Sequence, residues 1–468
     1  MRRFCSCTFR KYKATETTKN SVNQSITVCA MQKIKDASVV SLRPVRGQAP
    51  PSRAGIGRFG RLLACASVVL LAGCSVQSPL GYYWQAAAGH LHLLRSARPV
   101  AELVTPTAQS PAATSGDAPA PTASPELSPA LRARLARTQL MRDFASAQLG
   151  LPDNASYRRY ADVQRPAAVW NVVAAPVDQL QLHRWCFWVV GCLTYRGYFA
   201  EADARAHAAQ LREQGWEVHV YGVPAYSTLG WSNWLGGDPL LNTFVHWPEP
   251  EVAGLIFHEL THQLIYIADD TPFNEALATA VQRLGTQQWL QTHGTPAQRA
   301  AYTTGEMRRQ TWRALTRRTR QALAQLYAQQ AERPMAQAQL LARKEAVLAG
   351  FRAQYAQLRT QWQREWEQAR AQAGTPAPTP PAANPWQRTD EWVAQANNAS
   401  FGALGVYEDW TPAFEAMYHQ ASGDWPRFYD AVRALARLPV AERHAALHAL
   451  LPGPAAVPAA SSTLQPPA

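Results

Sequence analysis

The chain has 468 residues, enough for two or three domains, and its 46 Lys/Arg against 33 Asp/Glu give a net charge of +13. Most of that charge lies in residues 1–73, which hold 13 basic residues but only two acidic ones, whereas residues 74–468 hold 33 basic and 31 acidic residues. A chain processed before residue 74 is therefore nearly neutral, and this balance argues against nucleic acid as a partner.

Residues 58–74, RFGRLLACASVVLLAGC, have the pattern of a secretory signal, with arginines, a short apolar run and small residues before Cys74. The run is too short to span a bilayer. LAGC resembles a bacterial lipobox, which implies cleavage before Cys74 and lipidation of its thiol. The serine that follows favours export to the outer membrane in such lipoproteins. The alternative is a buried apolar helix with an incidental cysteine.

The polar, basic residues 1–52 precede this signal and are best explained by a start codon assigned too far upstream. Residues 74–128 form the predicted anchor segment: a helix over 78–100, then a tether over 104–128 rich in Pro, Ala, Ser and Thr. A helix is predicted again over 129–150, where Gly150 can end it.

Residues 157–247 have the pattern of a mixed α+β unit. Three stretches rich in β-branched and aromatic residues predict strands: AVWNVVAAP, RWCFWVVGCLTYRGYF and WEVHVYGVPAYSTLGW. Residues 201–215 predict a helix between the second and third stretches. Cys186 and Cys192 keep free thiols after processing, and an exported chain with one close pair predicts a disulfide. Two buried, reduced cysteines are the alternative.

The sequence HELTH, residues 258–262, lies in a stretch that is apolar almost all round from Val252 to Ile267, which predicts a buried helix. Histidines four residues apart share a helix face, roughly 6 Å from each other, so His258 and His262 can reach one metal ion. Glu259 lies beside them and can take a proton from a water molecule at that ion. The alternative is a pair of buried histidines hydrogen-bonded to the backbone.

A second helix is predicted after a tight turn, with Thr271 as its N-cap, Pro272 in its first position and Gly285 at its end. In an antiparallel hairpin, Glu275 lies nearly level with His262, because each is roughly 5–7 Å from the turn.

Glu275 then supplies a third, carboxylate ligand and leaves a fourth position for water, which is the catalytic arrangement of zinc. Asp269 and Asp270, in the turn itself, are the alternative third ligands.

Residues 286–373 are rich in Ala, Gln, Arg, Leu and Glu and predict long helices divided at Pro334 and Gly350. The arginines between Arg308 and Arg320 are read as a solvated helix face, with an anionic partner as the alternative. Residues 374–386 form a Pro-rich linker, 387–451 return to a helical pattern, and 452–468 predict a disordered tail.

The pairing of HELTH with NEALA is similar to the gluzincin arrangement of HExxH plus NExxA. Together with VVGCLTYRGYF, AYSTLGW and NNASFGALGVYEDWTPAFEAM, it resembles the bacterial putative aminopeptidase family of lipoprotein-like metallohydrolases. The resemblance implies one Zn²⁺ held by His258, His262 and Glu275, with Glu259 as the catalytic base. It also implies a zincin-like α+β fold: a mixed sheet with the active-site helix pair in residues 129–285, followed by a mostly helical C-terminal region. Thermolysin-like sites have an aspartate one turn after the glutamate ligand, where this chain has Thr279.

Peptide-bond hydrolysis also needs a donor for the developing oxyanion. Tyr407 is the first candidate, followed by Tyr418, His419 and Tyr226. The expected enzyme is a zinc aminopeptidase acting on peptides, anchored to the membrane through its lipidated cysteine.

Exopeptidase action needs a group that holds the substrate amine, for which Glu249, Asp269 and Asp270 are the acidic candidates. An endopeptidase that acts on cell-envelope proteins is the close alternative. A non-catalytic zinc lipoprotein whose long helices bind a partner is the second.

Overall fold

The computed structural model describes residues 79–105, 127–187, 191–225, 227–228, 233, 236–372, 384–404 and 410–451. These residues form thirteen helices and eight short strands. The predicted mixture of helix and sheet is confirmed, as is the mostly helical C-terminal region. Among the described residues, no helix is both long enough and apolar enough to cross a membrane.

The strands of the described residues all lie before residue 242. The elements up to residue 241 are α1 (Pro79–Ser96), β1 (Arg98–Pro99), α2 (Val100–Val104), α3 (Pro129–Ala147), β2 (Arg159–Ala161), β3 (Val169–Ala175), β4 (Trp185–Phe187), β5 (Gly191–Leu193), β6 (Arg196–Tyr198), α4 (Glu201–Glu213), β7 (Glu217–Val223) and β8 (Leu240–Leu241). The remaining elements are α5 (Glu249–Leu264), α6 (Thr271–His293), α7 (Pro296–Glu332), α8 (Gln337–Gln372), α9 (Gln387–Ala394), α10 (Asn398–Ala403), α11 (Thr411–Gln420), α12 (Trp425–Ala436) and α13 (Val440–Leu450).

The largest sheet has β3 at its centre, paired antiparallel with β6 on one side and β7 on the other. Successive side chains of a strand point to opposite faces. Accordingly, Val172 and Ala174 pack with α4, whereas Val173 and Ala175 pack with α10. Because helices cover both faces, the strand reads as an almost continuous apolar run rather than an alternating one.

A second small sheet joins β1 and β2 antiparallel and β2 and β8 parallel. Seven residues separate the end of its strand β8 from the start of α5. Among the described residues, the largest apolar cluster surrounds α5 and α6 and includes Phe257, Phe273, Trp289, Phe414 and Phe428, all of them fully buried. The helix pair that carries HELTH therefore lies in the centre of the core.

Helix α6 does not end at Gly285, as the sequence predicts, but continues to His293. A Cβ atom at this position would lie 2.7 Å from Leu149 Cδ1 and 3.1 Å from Phe257 Cδ2. The glycine is therefore explained by the close approach of α6 to its neighbours, not by a helix end.

The long helices α7 and α8 pack against each other as an antiparallel pair. A capping box between Thr295 and Gln298 opens α7, and the break at Pro334 separates it from α8 because proline cannot supply the backbone N–H of a continuing helix. Gly350, by contrast, lies inside α8, and nothing lies within 4 Å of a Cβ built there. The predicted division at Gly350 is therefore wrong.

Candidate metal centre

Three side chains from two helices converge in the core. His258 and His262 extend from α5, and their Nε2 atoms lie 3.2 Å apart. Glu275, on α6, places Oε2 3.5 Å from His258 Nε2 and Oε1 3.3 Å from His262 Nε2. Among the described residues, no other group of three His, Cys, Asp or Glu side chains converges in this way.

These separations match what a metal ion requires of its ligands. Ligand atoms about 2.1 Å from a tetrahedral zinc ion lie about 3.4 Å from one another. The nitrogen–oxygen contacts are longer than ordinary hydrogen bonds between such atoms. Two imidazoles and one carboxylate are also the donor set of catalytic rather than structural zinc.

The charge of the site also favours a cation. Burial lowers the pKa of His258, but Glu275, Glu259 and Gln282 more than offset this effect and raise the pKa above its usual value. Burial raises the pKa of Glu275, and the two imidazoles, His262 first, outweigh burial and lower it to about 2. The carboxylate is therefore ionised in the buried site at every physiological pH.

The turn between the helices differs in detail from the predicted one. Helix α5 ends at Leu264 rather than Ile267, and Asp270 rather than Thr271 caps α6, through a hydrogen bond from the Phe273 N–H. Asp269 has a φ of +62°, which the sharp reversal of the chain requires.

Asn274 holds the turn against α6. Its side-chain oxygen accepts from the Ile267 N–H at 2.9 Å, and its side-chain nitrogen donates to the Ile267 carbonyl at 2.7 Å. The residue before Glu275 thus fixes the start of α6 to the chain leaving α5. This explains the asparagine of NEALA in terms of ligand placement.

Asp270 is also bound by two residues of the C-terminal helix α13. Its buried carboxylate accepts from Arg443 Nε at 2.8 Å and Nη2 at 2.7 Å, and His444 Nε2 lies 3.0 Å away. Asp270 is thus fully engaged, and the alternative that places it in the metal site is not supported by this geometry. Asp269 is exposed.

Gln282 can orient His258, the role that an aspartate has in thermolysin-like sites. Thr279 stands at the position of that aspartate. The Oε1 atom of Gln282 lies 3.1 Å from His258 Nδ1, the ring nitrogen that faces away from the cluster. Gln282 lies seven residues after Glu275, so both occupy one face of α6. That spacing is the signal that could have identified it from sequence. His262 Nδ1 is buried without a hydrogen-bond partner among the described residues.

Glu259 lies beside His258 on α5 and is partly exposed. It is within electrostatic range of Tyr157, whose pKa is raised well above its usual value by burial, by Glu259 and by Asp238. Tyr157 is fully buried and has a φ of +63°. The hydrogen bond from Gln263 Nε2 to Ser156 Oγ, at 3.2 Å, ties its loop to α5. The proximity of this loop to α5 was not expected from the sequence.

The other candidates for catalysis are not brought to the cluster by any described contact. Tyr407 and Tyr226 lie outside the described residues, as does Cys74. The Tyr418 ring packs on Trp425 with ring centres 4.5 Å apart, and His419 is exposed.

Two further predicted residue sets have clear structural places. Glu249 Oε1 accepts from Arg137 Nη2 at 2.7 Å and from Trp289 Nε1 at 3.1 Å, so this carboxylate is already engaged. Cys186 and Cys192 form a disulfide between β4 and β5, where they are directly paired.

Comparison with known protein families gives a match over most of the chain. The profile of the family described as "Putative aminopeptidase" matches residues 81–447, which include α5, α6 and all three clustered side chains. No curated protein and no solved structure matches the chain. Because the match extends over most of the sequence, the chain belongs to the putative aminopeptidase family.

Proposed function

We propose that this protein is a zinc-dependent peptidase that releases N-terminal residues from peptides. The observation that carries the proposal is the convergence of His258, His262 and Glu275 at separations suited to one tetrahedral cation. Membership of the family supports peptide hydrolysis as the reaction.

In this proposal His258 and His262 hold the ion through Nε2, and Glu275 holds it through its carboxylate. Gln282 accepts the Nδ1–H of His258, which selects the tautomer that leaves Nε2 free to bind. A zinc ion held there supplies Lewis acidity, which makes a water molecule more acidic and a carbonyl carbon more electrophilic.

Glu259 is the proposed base. Because it is partly exposed, it can meet a water molecule that enters the site from solvent. It accepts the proton of the attacking water and passes it to the leaving amine. A group of this kind contributes roughly 10²–10⁴-fold to the rate.

An endopeptidase is the second candidate, and the structure offers one observation in its favour. Two of the three acidic residues considered for binding a substrate amine are already engaged, Glu249 with Arg137 and Asp270 with Arg443. Asp269 is exposed in the turn. No acidic residue of this set is therefore both held in place and open to an amine.

We further propose that the protein is a lipoprotein of the bacterial cell envelope, anchored to the outer membrane through Cys74 and facing the periplasm. The support is the sequence pattern of residues 58–74. The disulfide between Cys186 and Cys192 accords with an oxidising compartment.

The test uses the protein purified from membranes of the expression host. Its bound metal is measured, and it is assayed on amino-acid amides and on the same peptides with a blocked amine. Cleavage limited to unblocked substrates supports the aminopeptidase, and cleavage of blocked peptides supports the endopeptidase. No cleavage of either class, by a protein that contains zinc, refutes both.

The Glu259→Gln variant separates the base from the ligands. It is expected to keep one zinc ion and to lose roughly 10²–10⁴-fold in kcat. Glu251→Gln, two turns earlier on the same helix and paired with Arg309, is the matched control and is expected to keep its activity. Full activity in Glu259→Gln would show that another group is the base.

A further inference from the structure

Among the described residues, the contacts that hold helix α1 to the rest of the protein lie along one side of the helix. Gln85 Nε2 donates to the Gly197 carbonyl, and Gln85 Oε1 accepts from the Phe199 N–H, at 3.3 and 3.2 Å. A Cβ atom at Gly89 would collide with the Phe199 ring, so glycine allows α1 to lie directly on that ring. Leu93, on the same side, is buried in the main core. The helix is therefore fixed in place.

The opposite side of α1 is an exposed apolar stripe. Trp84, Ala88, Leu91 and Arg95 follow one another at spacings of four, three and four residues, so they share one face. Trp84 is 76% exposed and Leu91 is 44% exposed. Trp84 is the most exposed large apolar residue among those described. Exposed apolar surface of this kind is typical of a face that contacts a membrane or another molecule.

The position of the stripe in the chain indicates what covers it. This step rests on the proposed lipidation of Cys74. Five residues of extended chain reach at most about 18 Å, so a lipidated Cys74 keeps the first residue of α1, Pro79, within about 18 Å of the bilayer surface. Trp84 lies only five residues further on, so a rigid helix held this close can place the Trp84 ring among the headgroups.

The chemistry of the stripe suits that location. Tryptophan favours the boundary between headgroups and acyl chains because its ring is apolar and its N–H is polar. Leu91 adds apolar area. Arg95, at the end of the helix, and Arg98, just beyond it in β1, are both exposed and can pair with phosphate groups.

We propose that the face of α1 formed by Trp84, Ala88, Leu91 and Arg95 lies on the phospholipid bilayer. It forms a second membrane contact beside the lipid anchor, and together the two contacts hold the protein in one orientation. Two contacts of this kind bind a membrane far more stably than one.

The test places a nitroxide label on the stripe of the membrane-purified protein through Ala88→Cys. The matched control is Met307→Cys, at an exposed apolar position on α7. Each protein is reconstituted into vesicles of phosphatidylethanolamine and phosphatidylglycerol. Its collisions with oxygen and with a water-soluble nickel complex are measured by electron paramagnetic resonance, and its mass reports acylation separately.

The label at residue 88 is expected to meet oxygen several-fold more often, relative to nickel, than the label at residue 307. Adding Trp84→Glu and Leu91→Glu should restore the nickel collisions at residue 88, while the mass still shows the acyl group on each protein.

Equal nickel access at both positions in acylated protein overturns the proposal and leaves the lipid anchor standing. If the mass shows no acyl group, the anchor fails, and the bilayer contact survives only if residue 88 is still shielded in vesicles. Magnetic coupling between labels of two copies assigns the stripe to a protein contact and also overturns it.

Discussion

Gln282→Met tests how the proposed zinc site is organised. The side chain of Gln282 accepts from His258 Nδ1 at 3.1 Å. Methionine keeps the length and the unbranched Cγ of glutamine but cannot accept this bond well. The unbranched Cγ matters because Gly254 of α5 lies close to it: a Cβ atom built at Gly254 would be only 3.2 Å from Gln282 Cγ. A branched side chain at residue 282 would therefore be crowded by α5.

The expected loss is in zinc affinity. Removal of such an orienting partner weakens metal binding by about 10–100-fold, which corresponds to about 1.4–2.7 kcal/mol. The dissociation constant is measured by competition of metal-free protein with a chromophoric chelator. Gln282→Glu keeps an acceptor oxygen and is expected to bind zinc at least as well as the parent.

Thr279→Ala is the control at the position where thermolysin-like enzymes have their aspartate, and its zinc affinity is expected to be unchanged. If the Gln282→Met protein folds normally and binds zinc as tightly as the parent, Gln282 does not support zinc binding through His258. Weak zinc binding in Thr279→Ala, with normal binding in Gln282→Met, would show that Thr279 rather than Gln282 supports the histidine.

Three further predictions concern folding and are all read from urea denaturation. Gly285→Ala should lower the free energy of unfolding by about 1–3 kcal/mol, because the added methyl group overpacks the contact of α6 with its neighbours. Gly350→Ala, where the methyl group meets open space, should raise the free energy of unfolding by up to about 1 kcal/mol. Equal effects of the two substitutions would contradict the explanation of Gly285 by close packing. Burial lowers the pKa of His219 from 6.5 to about 4, so its neutral form contributes stability that is complete above pH 6.5 and is lost as the pH falls towards 4. The free energy of unfolding of His219→Phe should therefore fall by about 3 kcal/mol less than that of the parent between pH 6.5 and pH 4. If the free energies of parent and variant fall in parallel, protonation of His219 is not the cause of the acid destabilisation. Arg443→Met leaves the buried carboxylate of Asp270 without its arginine and should cost about 3–5 kcal/mol; a loss below about 1 kcal/mol would show that His444 and the helix N-terminus suffice.

Local patterns account well for where elements form. The strand AVWNVVAAP, the helix that follows residue 200 and the helix pair around HELTH were all expected from their periodicity and caps, and all are present. Two of the errors occur at glycines. Gly285 and Gly350 both resemble helix ends in sequence, yet one is required by close packing and the other lies in open space within a continuous helix.

The place of His258 and His262 on one helix face, with Glu259 beside them, was determined by the sequence alone, because helical periodicity follows from local backbone hydrogen bonds. The proximity of Glu275 needed only the further assumption of a tight helical hairpin. The partners of these residues were decided by tertiary structure. Asp270 is held by Arg443, 173 residues further along the chain, and Glu249 by Arg137, 112 residues before it. Local periodicity carries no record of which distant side chain meets a buried carboxylate, since that choice depends on how the whole core packs.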